Sequence, residues 1–450
     1  MPYDGEYAHY QPLKRIVESE RVQQLLRRSR VIDRSVLVQQ VAPKPPPQPT
    51  TAMPALVLAI DGSTAEVDVR NGYPGAKVGY CSVASVIMNL AEVERLDASR
   101  PVNPIDFRKT EDPSSDAMAL PGCNVITRDH ISARDSFREA LFDLLHDAVV
   151  DEEDNARLLA TYQVLLAYKP TDAIQCPYSH LDCTREVRIG PNVDTCPCER
   201  RKPLLPTDAM RIHERFNDES GTNGEAFGYV MQVWERLLFV HLLRCFEQRD
   251  WLQRLSDVAF FVDGSLAVFG PPAWLSAAIS RELQRLNAKV MEKTGSDMVL
   301  IGIEKSGNFV AHFEEIDKRE DGSQHFAPRT YFLPTDKYIK ERVIYSDSTK
   351  RYGADTYFGR KFFYKTQSGA RIVANIPFLK PQQDTLDTDE PSAFPQFGTV
   401  CSLLDKLVTS RYANALAPLV SAHAQAAIPL HLGQKVLKQL AQVLMRARAQ

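Results

Sequence analysis

Short apolar runs alternate with longer amphipathic segments along most of the chain. Residues 55–60, 258–262 and 298–303 are almost uninterrupted apolar runs, which is typical of strands buried on both faces. Residues 226–247 and 272–293 instead repeat apolar positions with the period of a helix. Strands that alternate with long helices predict an α/β class with a mixed sheet flanked by helices.

Changes in this pattern divide the chain. Residues 10–40 have a helical pattern, and the proline-rich run 43–49 is typical of a stiff extended linker, because proline fixes its own backbone and lacks a donor. Residues 170–225 hold clustered cysteines, prolines and a glycine loop, and we interpret them as an insertion. The predicted units are a helix and linker at 1–50, the two parts of a core domain at 51–169 and 226–450, and the insertion at 170–225.

Two segments have less regular patterns. Residues 101–122 are polar and contain prolines, so no element is assigned to them. The last helix of the chain carries apolar residues on one stripe, which predicts that the stripe packs against the core. Its members are Val436, Leu437, Leu440, Val443 and Leu444.

Composition narrows the class of protein. The 450 residues exceed one ordinary core, and 44% hydrophobic with 25% charged residues is typical of a soluble globular protein. No apolar stretch approaches the ~18 residues of a membrane span, and the first residues lack a secretory pattern, so we expect a cytoplasmic protein with no membrane contact. The net charge of -3 means that any nucleic-acid contact must come from local patches.

Two of the apolar runs end in the same tripeptide, Asp-Gly-Ser. Asp61 follows the first run and Asp263 follows the second. Ligands of α/β sheets gather beyond strand ends, so the two carboxylates converge there if their strands are neighbours. Carboxylate oxygens suit Mg²⁺ and Mn²⁺, and two such ions ~4 Å apart cleave phosphodiester bonds. The alternative for each aspartate alone is an ordinary turn after a strand.

These motifs resemble the NurA nuclease family. The resemblance covers most of residues 50–430 and rests on Leu-Ala-Ile-Asp61-Gly-Ser, Phe-Phe-Val-Asp263-Gly-Ser-Leu, Val-Leu-Ile-Gly-Ile-Glu-Lys305 and Pro-Leu-Val-Ser-Ala-His423. It implies an RNase H-like fold and a DNA nuclease that uses two Mn²⁺ or Mg²⁺ ions. It also implies a homodimer that processes DNA ends with a hexameric HerA-type ATPase, in repair or in defence against phage.

The resemblance also implies a glutamate on the helix before Asp263, and two positions compete for it. Glu247 has the spacing closer to that of the family, and we prefer it as the metal ligand. If the helix continues through Leu255, the residue level with Asp263 is near 242–247. If the helix breaks at Asp250, that level is nearer 236, and Glu235 becomes the candidate.

Three further residues are candidates for the site. His423 matches the family histidine, and a neutral imidazole suits Mn²⁺ ligation or proton transfer. The family tyrosine eight residues earlier is Ala415 here, so Tyr412, one turn upstream, is the candidate substitute. Lys305 follows a strand end, where it is a candidate contact for the scissile phosphate, with a solvated loop lysine as the alternative.

The insertion carries four clustered cysteines, Cys176, Cys183, Cys196 and Cys198. Four thiolates hold tetrahedral Zn²⁺, and the segment has few apolar residues for a core of its own. We therefore predict a structural zinc site, in which His180 is an alternative ligand. The competing interpretation is a set of reduced cysteines without metal.

A basic and aromatic stretch follows residue 337. Cations track phosphates and aromatic rings stack on unpaired bases, so Arg351, Tyr352, Arg360 and Lys361 are candidate DNA contacts. The alternative is that they belong to a folded β-region.

Two other functions remain open for the whole chain. An actin-like or sugar-kinase-like phosphotransferase would use Asp61-Gly-Ser as a phosphate turn, and a non-catalytic adaptor for DNA or the ATPase would keep the fold without the chemistry.

Overall fold

The computed structural model describes most of the chain, namely residues 10–29, 41–72, 74–95, 111–127, 130–151, 156–170, 172–409, 414–429 and 432–446. In chain order the strands are β1 (Leu56–Arg70), β2 (Ala76–Asn89), β3 (Glu111–Pro121), β4 (Val149–Asp151), β5 (Ala156–Arg157), β6 (Ile174–Gln175), β7 (Glu186–Val187), β8 (Asp194–Thr195), β9 (Pro203–Leu204), β10 (Val258–Asp263), β11 (Val299–Glu304), β12 (Thr330–Phe332), β13 (Gly359–Lys365), β14 (Arg371–Pro377), β15 (Val408–Thr409) and β16 (Ala415–Leu416).

Helices flank these strands. They are α1 (Tyr10–Glu18), α2 (Glu20–Arg28), α3 (Leu90–Arg95), α4 (Ala133–Asp147), α5 (Leu158–Ala167), α6 (Gly224–Gln248), α7 (Leu275–Thr294), α8 (Asn308–Ile316), α9 (Asp336–Tyr338), α10 (Phe397–Leu407), α11 (Ala417–Ala426) and α12 (Leu432–Arg446). The short turn of α9 continues as a π-helical turn, Ile339–Val343. Short 3₁₀ helices lie at Ser179–Leu181, Pro206–Met210, Ile212–Arg215, Leu252–Asp257, Pro271–Trp274, Gln383–Thr385 and Pro391–Ala393.

Eight of the strands form one mixed sheet, which confirms the predicted α/β class. Their order is β12-β13-β14-β11-β10-β1-β2-β3. The strands β1, β10 and β11 are parallel, and the remaining neighbours are antiparallel. Four separate two-stranded ribbons, β4–β5, β6–β7, β8–β9 and β15–β16, lie outside this sheet.

Both faces of the sheet are covered, which explains the uninterrupted apolar runs. Leu58 and Ile60 of β1 belong to a core that includes residues of α4 to α7. Val57 and Ala59 point to the other face, where they share a core with α10 and α11. Side chains alternate between faces along a strand, so a strand buried on both sides needs an apolar residue at every position.

The first strand differs from the sequence prediction at Asp61. The pattern predicted that a strand ends there in a turn, but β1 continues unbroken through Asp61-Gly62-Ser63 to Arg70. Only its parallel pairing with β10 ends at this point, with Ile60 opposite Val262. Beyond it, β1 stays paired with β2 as a long antiparallel hairpin. Asp61 therefore lies where β1 leaves the parallel part of the sheet.

The edge strand β3 lies in the polar segment to which no element was assigned. Residues 112–117 are exposed, and Pro113 lies among them. An edge strand tolerates polar residues and proline, because one face and one ladder are open to water. Periodicity did not detect this strand because it lacks the alternation of a half-buried one.

The chain ends leave apolar residues uncovered. Neither α1 nor α2 has a buried residue, and the part of the predicted N-terminal helix at 30–40 lies outside the described residues. The proline-rich linker is not free, since Lys44 and Tyr331 exchange backbone hydrogen bonds of 2.9 and 2.8 Å at the edge of the sheet.

The packing prediction for the last helix, α12, is wrong for four residues. They remain exposed and are Val436, Leu440, Val443 and Leu444.

Candidate active site

Asp61 and Asp263 lie next to each other on neighbouring parallel strands. The register of β1 and β10 pairs Ile60 with Val262, so the aspartates occupy the next level of both strands. Asp61 is almost fully buried, and its Oδ1 accepts a hydrogen bond of 2.8 Å from the backbone N–H of Gly62. Asp263 is the last residue of β10 and is partly open to solvent. The two carboxylates thus converge as the sequence predicted.

The side chains of Lys305 and His423 approach this pair of aspartates. The Lys305 ammonium lies 2.9 Å from Asp263 Oδ1 and 3.6 Å from Asp61 Oδ2, so it bridges both carboxylates. His423 Nδ1 lies 2.9 Å from Asp61 Oδ2, while its side chain is 59% exposed. Lys305 follows β11 and His423 lies on α11, so four separate elements contribute to the cluster.

A third carboxylate, Glu235, approaches from α6. A Cβ atom built on Gly62 would come within 2.7 Å of Glu235 Oε1, which places this carboxylate directly over the β1 backbone beside Asp61. Glu235 is buried, and burial raises its pKa to about 8, with further contributions from the charges of Asp61 and Asp263. Its side chain therefore belongs to the same electrostatic unit as the two aspartates.

Glu247, the glutamate preferred on spacing, is elsewhere. Its carboxylate accepts two hydrogen bonds of 2.6 Å from Arg285 and one of 2.6 Å from Lys289, both on α7. These partners lower the pKa of Glu247 to about 2, the Arg285 hydrogen bonds contributing most. The preference for Glu247 is corrected in favour of Glu235, because α6 ends at Gln248 and Asp250 has a left-handed φ of 55°.

Two carboxyl groups of the cluster, those of Asp61 and Glu235, hold their protons more strongly than free carboxyl groups do. Burial raises the pKa of Asp61 to about 6, and the nearby Asp263 raises it further, while Lys305 and His423 lower it. Arg236 lowers the pKa of Glu235 but does not offset its burial. Carboxylates held in this state favour any cation that enters among them.

Arg236 is a residue that the sequence analysis missed. Its buried guanidinium donates to the backbone carbonyls of Asp263 at 3.0 Å and Ser265 at 2.9 Å. It also donates to Glu235 Oε2 at 3.3 Å. One side chain of α6 thereby fixes the loop after Asp263 and the third carboxylate. The available signal was an arginine within the apolar stripe of a helix, directly after a candidate glutamate.

A second polar layer lies behind the Asp263 loop. Ser265 Oγ donates to Glu304 Oε1 at 2.7 Å, and Asn375 Nδ2 donates to the same oxygen at 3.0 Å. The Lys361 ammonium contacts both Glu304 and Ser265. The serine of the second Asp-Gly-Ser is thus held in place by β11, β13 and β14.

This layer corrects two of the predicted DNA contacts. Lys361 is 3% exposed and Arg360 is 4% exposed, because both lie within β13. Arg360 donates to the carbonyls of Pro334 at 2.8 Å and Leu386 at 3.0 Å. Buried cations engaged in this way are structural, and they have no surface to offer to a phosphate.

The other basic and aromatic candidates are half-buried. The Arg351 guanidinium lies 5.0 Å from the centre of the Phe378 ring, and burial lowers the pKa of Arg351. The ring of Tyr352 lies 5.7 Å from that of Phe309 and 5.5 Å from that of Tyr357. Their contact with DNA stays a prediction. Tyr412 lies outside the described residues, and Ala415 begins β16.

The clustered cysteines come together at a place of their own. The ligand atoms of Cys176, Cys183 and Cys196 all lie within 4.8 Å of one another. His180 is not part of this group, since its Nε2 lies 3.2 Å from Ser132 Oγ and its Nδ1 lies 3.2 Å from the Pro177 carbonyl. The geometry thus corrects the alternative that His180 replaces a thiol.

Comparison with known families decides the identity of the fold. The family model of the NurA domain matches residues 55–428. The chain belongs to the NurA family. Among solved structures, it is similar to the NurA nuclease from Sulfolobus solfataricus, with 11% identity, 97% of each chain covered and a TM-score of 0.36. A structure of NurA with manganese has 11% identity, 96% coverage of each chain and a TM-score of 0.22.

No curated protein matches the NurA chain described here. Within the described residues, each helix is too short or too polar to cross a membrane. The matched region 55–428 contains all three carboxylates, Lys305 and His423. It also contains the cysteine hairpins, whereas α1, α2 and α12 lie outside it.

Proposed function

We propose that this NurA-family chain is a metal-dependent DNA nuclease with Asp61, Asp263 and Glu235 as its central carboxylates. The observation that carries the proposal is the convergence of these three residues from β1, β10 and α6 where the parallel pairing ends. The match of residues 55–428 to the NurA family supports the same activity.

The donor set fits hard divalent cations. The three carboxyl groups offer hard oxygen donors, and burial raises the pKa values of Asp61 and Glu235, so a divalent cation that binds there would displace protons from them. Mn²⁺ or Mg²⁺ bound there would activate water and stabilise the charge that develops on phosphate oxygens.

The chain's own residues have distinct tasks in such a reaction. Lys305, 38% exposed and held by both aspartates, offers a cation to a non-bridging phosphate oxygen. If His423 donates its Nδ1 proton to Asp61, the Nε2 atom has a free lone pair, which can accept a proton from water or bind a metal ion. Arg236 acts as a positioning residue, because it fixes Glu235 and the Asp263 loop.

Two rival functions have less support. A phosphotransferase would need Asp61-Gly-Ser to form a phosphate-binding turn, but these residues lie within the continuous strand β1. A non-catalytic adaptor would have no need for three carboxyl groups at one point, two of which have raised pKa values. The order β3-β2-β1-β10-β11, antiparallel and then parallel, further supports our proposal of an RNase H-like core.

We also propose that the chain works in the cytoplasm as a homodimer with a HerA-type ATPase. The exposed apolar residues of α1 and α2 support a docking or dimer surface, because isolated apolar faces are normally covered by a partner. The exposed stripe of α12 is a second such surface. DNA capture by the slightly acidic chain alone should be weak, so delivery by a ring ATPase would supply what it lacks.

The nuclease proposal is tested by incubating purified protein with linear duplex and single-stranded DNA. Assays contain Mn²⁺, Mg²⁺ or EDTA, with and without a HerA-type ATPase. Wild type should cleave with metal only, and Asp61→Ala and Asp263→Ala should lower the rate more than ~100-fold, because no neighbour replaces a lost ligand. The matched control is Asp355→Ala, which removes an exposed aspartate paired with Lys350. Full activity in either site variant would refute the site, and an inactive wild type would favour the adaptor.

A further inference from the structure

Two short hairpins carry the four clustered cysteines. Cys176 directly follows β6 and Cys183 lies shortly before β7, so both are in the loop of the first hairpin. Cys196 directly follows β8, and Cys198 lies in the same loop before β9. Each loop is closed by a backbone hydrogen bond of 2.9 Å, from Cys176 N–H to the Arg185 carbonyl and from Cys196 N–H to the Lys202 carbonyl. The chain thus presents two cysteine-bearing loops to each other.

The sulfur atoms have the spacing of a tetrahedral metal site. Sγ of Cys196 lies 3.4 Å from Sγ of Cys176 and 3.8 Å from Sγ of Cys183. Sulfurs bound at the usual Zn–S length of ~2.3 Å in a tetrahedron lie ~3.8 Å apart. A disulfide needs about 2.05 Å between sulfurs, and all four cysteines are free thiols. Within the described part of the chain, Cys176, Cys183 and Cys196 form the one group of three or more potential ligand atoms that all lie within 4.8 Å of one another.

Backbone N–H groups point to the same sulfurs. The N–H of Tyr178 contacts Cys176, and the N–H of Cys198 contacts Cys196. Cys198, at the open side, accepts from the N–H groups of Arg200 and Arg201, and its thiol contacts those of Cys196 and Cys183. Donors aimed at sulfur stabilise thiolate, which is the form that binds metal.

The segment has only a small core of its own. Its small buried cluster contains three cysteines, and the other buried members are Ile174, Tyr178, Val187 and Leu204. Four apolar side chains cannot order two hairpins against the entropy of their chain, so such segments depend on metal or disulfides. We propose that Cys176, Cys183, Cys196 and Cys198 bind one structural Zn²⁺ that joins the hairpins β6–β7 and β8–β9.

The zinc-bound hairpins are attached to the core through Arg138 of α4. Its guanidinium lies 4.2 Å from the centre of the Tyr178 ring and donates two hydrogen bonds of 2.7 Å to Asp208. The Tyr178 hydroxyl donates to the Pro203 carbonyl at 3.1 Å, which links the loop of the first hairpin to β9. Loss of the metal should therefore loosen residues 174–204 first, while the central sheet keeps its own core.

The test measures metal in untagged full-length protein purified without chelator. Elemental analysis should find about one zinc per chain, and Cys196→Ser and Cys198→Ser should each lose most of it. The matched control Cys123→Ser should keep it, because Cys123 is a buried cysteine of the core that donates to the Gly221 carbonyl. Limited proteolysis after chelation should cut within 174–204 before any other described segment.

A second measurement covers the case in which a variant fails to fold. Wild-type protein exchanged with Co²⁺ should gain the absorption of tetrahedral cobalt thiolate, and added Zn²⁺ should remove it. The proposal is overturned if reduced wild type holds no zinc and shows no cobalt absorption. It is also overturned if mass analysis finds a Cys176–Cys196 disulfide, or if the bound metal is iron. None of these readouts depends on cleavage of DNA, so they leave the nuclease proposal to its own test.

Discussion

Glu235 lies so close to Gly62 that a Cβ atom at position 62 would come within 2.7 Å of the carboxylate oxygen Oε1. The same Gly62 donates its N–H to Asp61 at 2.8 Å. Two carboxylates of the proposed site therefore approach one residue that has no side chain. Glycine is needed here for close approach, since its backbone is in an ordinary strand conformation.

Gly62→Ala should lower nuclease activity about 10- to 100-fold, because the added Cβ displaces the carboxylate end of Glu235. The Cβ would also come within 2.9 Å of Cγ of Met231, so we expect some loss of stability while the fold persists. Cleavage of linear DNA with Mn²⁺ and the urea midpoint measure the two effects. Gly228→Ala on α6 is the matched control, since a Cβ there meets nothing within 4 Å. Equal activity of both variants would show that Glu235 does not need its position over β1.

Substitution of the two candidate glutamates should have different effects on cleavage and stability. Glu235→Gln should abolish cleavage, because a neutral amide cannot ionise to bind a divalent cation as a carboxylate does. Glu247→Gln should keep cleavage but cost about 1 kcal/mol of unfolding free energy, because it weakens the ion pairs with Arg285 and Lys289. DNA cleavage and urea denaturation of both variants check this pair. Loss of cleavage in Glu247→Gln alone would reverse our assignment.

Stability should fall as the pH drops from about 6.5 to 4, in part because of His213. Burial lowers the pKa of this histidine to about 4 in the folded chain, whereas an unfolded histidine titrates near 6.5. The unfolded chain therefore binds the proton first, and stability present above pH 6.5 is lost on acidification. At pH 5 the contribution of His213 is about 2 kcal/mol.

In the His213→Gln variant, the part of the pH dependence of the unfolding free energy that comes from His213 should be absent. Urea denaturation at pH 7.5 and pH 5 gives the difference for wild type and variant, and the pH 7.5 value corrects for altered packing. Burial also lowers the pKa values of His241 and His312 to about 4, so a remaining slope is expected. An unchanged difference between the two pH values would contradict the role of His213.

The sequence predicted the parts of the site that follow from strand patterns. Asp61 and Asp263 were placed because uninterrupted apolar runs predict buried neighbours, and β1 and β10 do pair. Glu235 could not be chosen over Glu247, because the choice depends on where α6 ends. Its end at Gln248 and the 3₁₀ turn Leu252–Asp257 absorb chain that a continuous helix would have used. Arg236 has no motif, since its role comes from carbonyl groups that only the folded loop brings together.

The basic stretch shows a different limit of sequence reasoning. Alternation of charge and aromatic residues predicts a nucleic-acid surface as readily as a buried ion-pair layer. Lys361 pairs with Glu304, which is 57 residues earlier in the chain, so composition alone did not reveal its partner. The packing prediction for the apolar stripe of α12 was wrong for the same reason, because periodicity predicts an apolar face but not what covers it.

The N-terminal helices give the last prediction. Leu13, Ile16 and Val17 of α1 and Leu25 and Leu26 of α2 are each more than half exposed, and neither helix has a buried residue. Charged substitutions on this face therefore have no core contact to disturb, so any effect must come from a partner. An apolar face of this kind is expected to be covered in an assembly.

Deleting residues 1–40, or combining Leu13→Asp with Ile16→Asp, should weaken binding to a HerA-type ring or to a second copy of the chain. Short single strands should still be cut, because the carboxylate cluster lies in the sheet, whereas digestion of long duplex with ATP should fall sharply. Gln24→Asp, a charge added at an exposed polar position of α2, is the control and should assemble normally. Light scattering and co-elution with the ATPase measure assembly. If the truncated chain assembles and digests long duplex like the full chain, the docking proposal fails while the nuclease proposal stands, because the two rest on different residues.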